Sequence, residues 1–165
     1  MKFRALIDKI LFWVLVSLMG LMVINVLWQV ASRYLLQSPS SFTDELSRFL
    51  LIWVGLLGAG YATGKKLHLA IDLLPTYLNG KQSGRKLNVV INILVGLFAI
   101  LVLIWGGSNL VYITLILEQP SAALGIPLGY VYTVIPLSGV LTLYYSIHNL
   151  ILDYNKPLEA IDIDN

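Results

Sequence analysis

Apolar residues fill four long stretches of the chain, and polar residues gather in the gaps between them. From Ile10 to Trp28 only Ser17, Gly20 and Asn25 interrupt the first run, which continues to about Leu36. The others extend over about Thr43–Thr63, Leu87–Leu117 and Leu128–Leu152. A helix crosses the hydrocarbon core of a bilayer with roughly 20 apolar residues. The pattern therefore predicts an all-α integral membrane protein with four transmembrane helices, at about 10–36, 43–63, 87–117 and 128–152. The runs are too long for the strands of a membrane barrel. The third exceeds the bilayer thickness and predicts a tilted helix. Gly106-Gly107 should loosen it, and Pro136 should kink the fourth.

The connections carry their own signals. Ser41-Phe42-Thr43-Asp44 fits a capping box, S-x-x-D, at the start of the second span. Asp44 and Glu45 then fall in the first turn, where the helix dipole favours negative charge. Residues 65–86 form a loop whose first half is apolar (Leu69, Ile71, Leu73, Leu74, Tyr77, Leu78) and is broken by Pro75. That predicts a short interfacial segment. The last residues, 153–165, read as an acidic solvated tail, so one four-helix domain occupies 1–152.

Composition narrows the class. Of 165 residues 58% are hydrophobic and 12% charged, with mean hydropathy +0.80. A soluble domain carries about a quarter charged residues, and a chain this short cannot hide so much apolar surface from water. The absence of cysteine removes disulfides, thiolate metal sites and cysteine nucleophiles. A net charge of +2 is too small for a nucleic-acid surface. Two histidines and few acids disfavour metalloenzyme and hydrolase chemistry. Of eleven basic residues, nine (Lys2, Arg4, Lys9, Lys65, Lys66, Lys81, Arg85, Lys86, Lys156) fall on one side of the membrane and only Arg33 and Arg48 on the other. Positive residues stay inside, which predicts an N-in/C-in topology. The first span reads as a retained anchor, its apolar run being too long for a cleaved signal peptide.

Ionisable residues inside a span are functional candidates by default. Here they collect at one end. Arg33 closes the first span, while Asp44, Glu45 and Arg48 open the second. Asn25, Gln29 and Arg33 repeat every four residues, one stripe along a helix face. The cluster admits two readings: salt bridges tying spans one and two together, or a contact site for a partner. A transported-ion site is disfavoured because transporters bind near the midplane, which holds almost no charge. His68 and Asp72 are four apart, and His148 lies near the end of span four. Both histidines fall toward the cytoplasm, so paired haem ligation is geometrically conceivable. Small residues in rows (Gly55, Ala59 and Thr63; Gly60 and Gly64; Gly58 and Ala62) mark a tightly packed second span. Lys65, Lys66, Lys81, Arg85 and Lys86 suit lipid headgroups.

Several stretches, in order, resemble the small membrane subunit (DctQ type) of tripartite ATP-independent periplasmic, or TRAP, transporters. They are Gln29-Val30-x-x-Arg33-Tyr34, Phe42-Thr43-Asp44-Glu45-Leu46-x-Arg48 with Trp53 following, Gly58-Ala59-x-Tyr61-Ala62, and Lys65-Lys66-x-His68-Leu69-x-Ile71-Asp72-Leu73-Leu74. Leu124-Gly125-Ile126-Pro127 and Tyr132-x-x-Ile135-Pro136-Leu137-x-Gly139 complete the set. Phe42 departs from the family's frequent Trp but keeps an aromatic anchor.

The resemblance implies a non-enzymatic scaffold in the bacterial inner membrane. Its partners would be a large elevator-type subunit, expected as a separate polypeptide, and a periplasmic substrate-binding protein, with membrane lipids around it. Sodium-coupled uptake of an organic acid, of sialic acid or C4-dicarboxylate type, would run through the large subunit. No cofactor is expected in this chain. Gln29, Arg33, Asp44, Glu45, Arg48, Trp53, His68 and Asp72 become candidate interface residues in a tilted four-helix bundle. A haem-bearing membrane anchor using His68 and His148 is the alternative.

Overall fold

The structure is a computed structural model, and it describes residues 2–35, 37, 40–65 and 82–155. Its helices are α1 (Lys2–Leu35), α2 (Ser41–Gly64), α3 (Gln82–Phe98), a π-helical segment (Ala99–Gly106), α4 (Gly107–Ile116), α5 (Leu128–Tyr132) and α6 (Val134–Asn155). α3, the π-helical segment and α4 follow one another without a break and make one long third span. Among the described residues four helical segments are long and apolar enough to cross a membrane: Arg4–Leu35, Ser41–Gly64, Leu87–Ile116 and Leu128–Leu152.

Three local details differ from the sequence expectation. The second span starts one residue earlier than the capping-box register requires: Ser40 is the N-cap, and its side chain makes no capping bond. Instead the Thr43 hydroxyl donates to the Ser40 carbonyl at 2.9 Å, and the Asp44 carboxylate is engaged by other side chains. The fourth span breaks at Thr133, between α5 and α6, one turn before Pro136. Proline has no N–H for the carbonyl four residues back, so the discontinuity appears upstream of the ring. Third, Gly106-Gly107 marks the exit from the π-helical segment. A Cβ on Gly107 would stand 2.7 Å from Ile135 Cγ2, so the missing side chain lets the third span meet α6 just below its break.

The helices pack in a row and not as a closed bundle. α1 lies on α2, α2 on α6, and α6 on α3 and the π-helical segment. The cause is where the small residues stand. α6 buries Ser138, Gly139, Thr142 and Ser146, and its neighbours offer Gly60 and Gly64 on one side, Gly96 and Gly107 on the other. Lipid tails are as apolar as leucine, so helices associate in a bilayer through close backbone approach and hydrogen bonds. α1 and the third span bury only 11% of their most apolar windows inside the protein, against 39% for the fourth. Their large apolar side chains face outward, where lipid solvates them.

Candidate functional site

The polar residues fall into two groups, one at each end of the helices. At the first, α1 and α2 are joined by amides. Asn25 Nδ2 donates to the Thr43 carbonyl at 2.8 Å and to Ser47 Oγ at 2.7 Å. One turn further, Gln29 Nε2 donates to Asp44 Oδ1 at 3.2 Å. The predicted Asn25–Gln29–Arg33 stripe thus grades from buried to exposed. Arg33 at its end is exposed and has no hydrogen-bond or ion-pair partner among the described residues.

The acids of this corner part company. Asp44 takes the Arg48 guanidinium at 2.5 Å, an i,i+4 pair within α2. Glu45 does not pair with Arg48. Its carboxylate accepts three successive backbone N–H groups, those of Ala122 (2.9 Å), Ala123 (2.7 Å) and Leu124 (2.9 Å). Successive N–H groups pointing into one concavity form a nest for an anion, and here the anion comes from α2. The loop that presents them is itself hydrogen-bonded. Glu118 turns the end of α4 in the left-handed region (φ 44°), with Gln119 N–H on the Thr114 carbonyl and Glu118 N–H on that of Leu115. This pairing is the Schellman closure of a helix. Gly125, at φ 65°, reverses the chain, and Ser121 N–H meets the Ile126 carbonyl at 2.8 Å. Just below, the Trp53 indole N–H donates to the Val131 carbonyl at 3.1 Å, fixing α2 to α5. Trp53 is therefore a tie within the chain.

At the opposite end, Asp8 links three helices. Its Oδ1 accepts from the Tyr145 hydroxyl at 2.6 Å and its Oδ2 from Lys65 Nζ at 3.1 Å. Arg4 donates to the Gly64 carbonyl at 2.5 Å, and Asn149 Nδ2 to the Thr63 carbonyl at 3.0 Å. Sequence reasoning did not single out Arg4, Asp8, Tyr145 or Asn149 as a site. An acid two residues before the first apolar run was the one signal available for Asp8. Lys65, expected at headgroups, is turned toward Asp8 and lies over the Tyr61 ring, 5.5 Å from its centre.

The remaining candidates are placed as follows. Gly60 and Gly64 lie against α6, whereas a Cβ on Gly55 or Gly58 would meet open space. Ala59 is exposed and Ala62 half-buried. Only one of the predicted rows therefore packs within this chain. His148 stacks on Tyr144, ring centres 6.2 Å apart. Lys66, His68, Asp72 and Lys81 lie outside the described residues, as do the side chains of Arg85 and Lys86.

The profile of the DctQ component of tripartite ATP-independent periplasmic transporters matches residues 10–155. A Haemophilus influenzae protein assigned as a TRAP transporter small permease is 24% identical over 156 residues, 94% of this chain and 92% of its own. The sialic acid TRAP transporter small permease protein SiaQ of Vibrio cholerae is 32% identical over 101 residues, 61% of this chain and 58% of its own. The sialic acid TRAP transporter permease protein SiaT of Haemophilus influenzae is 36% identical over 53 residues, 32% of this chain but only 9% of that protein.

Proposed function

The chain belongs to the DctQ component family of TRAP transporters and is a small permease subunit, and from that premise we propose that it is a stationary scaffold carrying neither substrate nor ion. It partners a large elevator-type membrane subunit in sodium-coupled uptake of an organic acid delivered by a periplasmic binding protein. It sits in the bacterial inner membrane with both termini in the cytoplasm, which puts the Asp8 group inside and the Glu45 corner outside. The SiaQ and SiaT relatives favour a sialic acid over a C4-dicarboxylate.

One observation carries this reading. Among the residues whose side chains are described, every acid lies toward an end of the helices (Asp8 at one, Asp44, Glu45 and Glu118 at the other), and three of these four are held by donors of the chain itself. A coupled ion or an anionic substrate needs ligands near the midplane. Here small residues of α2, α6 and the third span pack the helices together between the two polar ends. Arg33 and the exposed Arg48 guanidinium remain as cations at the outer rim, suited to an acidic patch on the loaded binding protein.

The test is reconstitution. Liposomes containing this chain alone should take up no labelled organic acid under a sodium gradient. Uptake should require the large subunit and the binding protein together with this chain. Transport by this chain alone would refute the scaffold reading.

A further inference from the structure

The third span turns one face to α6 and the opposite face away from the protein. On the inward face Leu103 meets Gly139, whose added Cβ would lie 2.7 Å from Leu103 Cβ, and Gly107 meets Ile135. The outward face carries Trp105, Asn109 and Tyr112, spaced i, i+4 and i+7, hence one stripe. Trp105 is 77% and Tyr112 63% exposed, and Asn109 is exposed between them. They border an open groove of about 820 Å³ whose other walls are Ile100, Ile104 and Ser108.

Asn109 is out of place on a lipid-facing surface. It stands seven residues inside the end of α4 at Ile116, about 10 Å of axial rise, with only apolar residues, Tyr112 and Thr114 between. Among the described residues neither its amide nor the Trp105 indole N–H has a hydrogen-bond partner, and acyl chains offer none. Polar groups at this depth are costly unless another protein group satisfies them. A second copy fits poorly, because two identical stripes would meet ring against ring and hold the shorter amides apart. A helix built of small residues would enter the groove between the rings and reach the amide.

We propose that the Trp105–Asn109–Tyr112 stripe is the seam on which the large membrane subunit docks one transmembrane helix, presenting small residues and a hydroxyl or amide that hydrogen-bonds Asn109. This rests on the scaffold reading above and adds the face that is used.

The chain has no cysteine, so single cysteines report cleanly. A photo-crosslinker is attached at Ser108→Cys in the groove, or at Ile24→Cys on α1, where Ile24 is 66% exposed. Each variant is co-expressed with the large subunit of its own transporter and irradiated in native membranes. Ser108→Cys should yield an adduct with the large subunit, and Ile24→Cys should not. Asn109→Leu should lower co-purification of the large subunit about three- to tenfold, the range for one interhelical hydrogen bond in a membrane, with the thermal stability of the isolated chain unchanged. Adducts from Ile24→Cys alone, adducts only with a second copy or with lipid, or full co-purification of Asn109→Leu would overturn the seam. Failure of the unaltered chain to co-purify with the large subunit would overturn the scaffold reading itself, and the seam with it.

Discussion

Glu45 on α2 accepts the backbone N–H of Ala123 at 2.7 Å across 78 positions of the chain. With Ala122 and Leu124 beside it, three consecutive amides close on one carboxylate. The loop 117–127 is thereby attached to the start of the second span by backbone N–H groups, which among loop substitutions only proline would remove.

Glu45→Gln should loosen that loop. Glutamine offers one acceptor oxygen where the carboxylate offers two, and its amide N–H₂ would face the N–H groups of the nest. Amide hydrogen exchange at Ala122, Ala123 and Leu124 should rise toward the rate of exposed backbone, while the Trp53–Val131 region stays protected. Unchanged exchange at those three amides would show that the carboxylate does not order the loop.

Exchanging the charges separates this arrangement from a salt bridge. If Glu45 and Arg48 paired with each other, Glu45→Arg combined with Arg48→Glu would restore the contact. The nest accepts only an anion, so the double variant should be as defective in loop protection as Glu45→Arg alone. Arg48→Ala alone should cost no more than about 0.5 kcal/mol, because its i,i+4 pair with Asp44 is solvent-exposed. Both comparisons can be read from thermal unfolding and exchange in the same detergent. Rescue by the double variant would reinstate the ion pair.

The four spans were legible because hydropathy and length alone decide which segments cross a bilayer. The polar corner was legible as a location, since Gln29, Arg33, Asp44, Glu45 and Arg48 crowd two adjoining helix ends. Its partners were not. The salt-bridge reading joined spans one and two, but Asp44 takes the Arg48 guanidinium within α2 at i,i+4, and Glu45 turns to a loop whose contribution is backbone, which leaves no mark in side-chain pattern. The row arrangement was hidden for a similar reason. Rows of small residues show that a helix packs closely, not which row packs within the chain: Gly60 and Gly64 do, whereas Gly55 and Gly58 face open space. The Asp8 junction joins residues 137 positions apart, beyond the reach of any local pattern.

That junction should be energetically significant. Tyr145 is fully buried, and its hydroxyl is 2.6 Å from Asp8 Oδ1. Tyr145→Phe keeps the ring against Gly64 and removes only the bond to a charged acceptor, which should cost about 1–3 kcal/mol. Asp8→Asn should be destabilising as well, because it leaves Lys65 facing a neutral group. Lowered thermal midpoints of the purified subunit, with helical content intact at low temperature, are the expected outcome. A Tyr145→Phe variant as stable as the parent would mean that the hydrogen bond adds nothing beyond ring packing.

Glycine substitutions test the row itself. A Cβ on Gly64 would stand 2.6 Å from the Tyr145 ring, and one on Gly139 would lie 2.7 Å from Leu103 Cβ and 3.1 Å from the Ile104 backbone nitrogen. The ring can shift slightly, but the backbone of the π-helical segment cannot do so without moving the third span off α6. Gly64→Ala and Gly139→Ala should each destabilise by about 1–3 kcal/mol through overpacking, Gly139→Ala the more. Gly55→Ala meets nothing within 4 Å and should be neutral or stabilising by up to about 1 kcal/mol, since alanine is the better helix former. Thermal unfolding of the three variants in one detergent gives the order directly. If Gly55→Ala proved as damaging as Gly139→Ala in the isolated subunit, close packing would extend to the Gly55 face of α2, and the helices would form a closed bundle in place of a row.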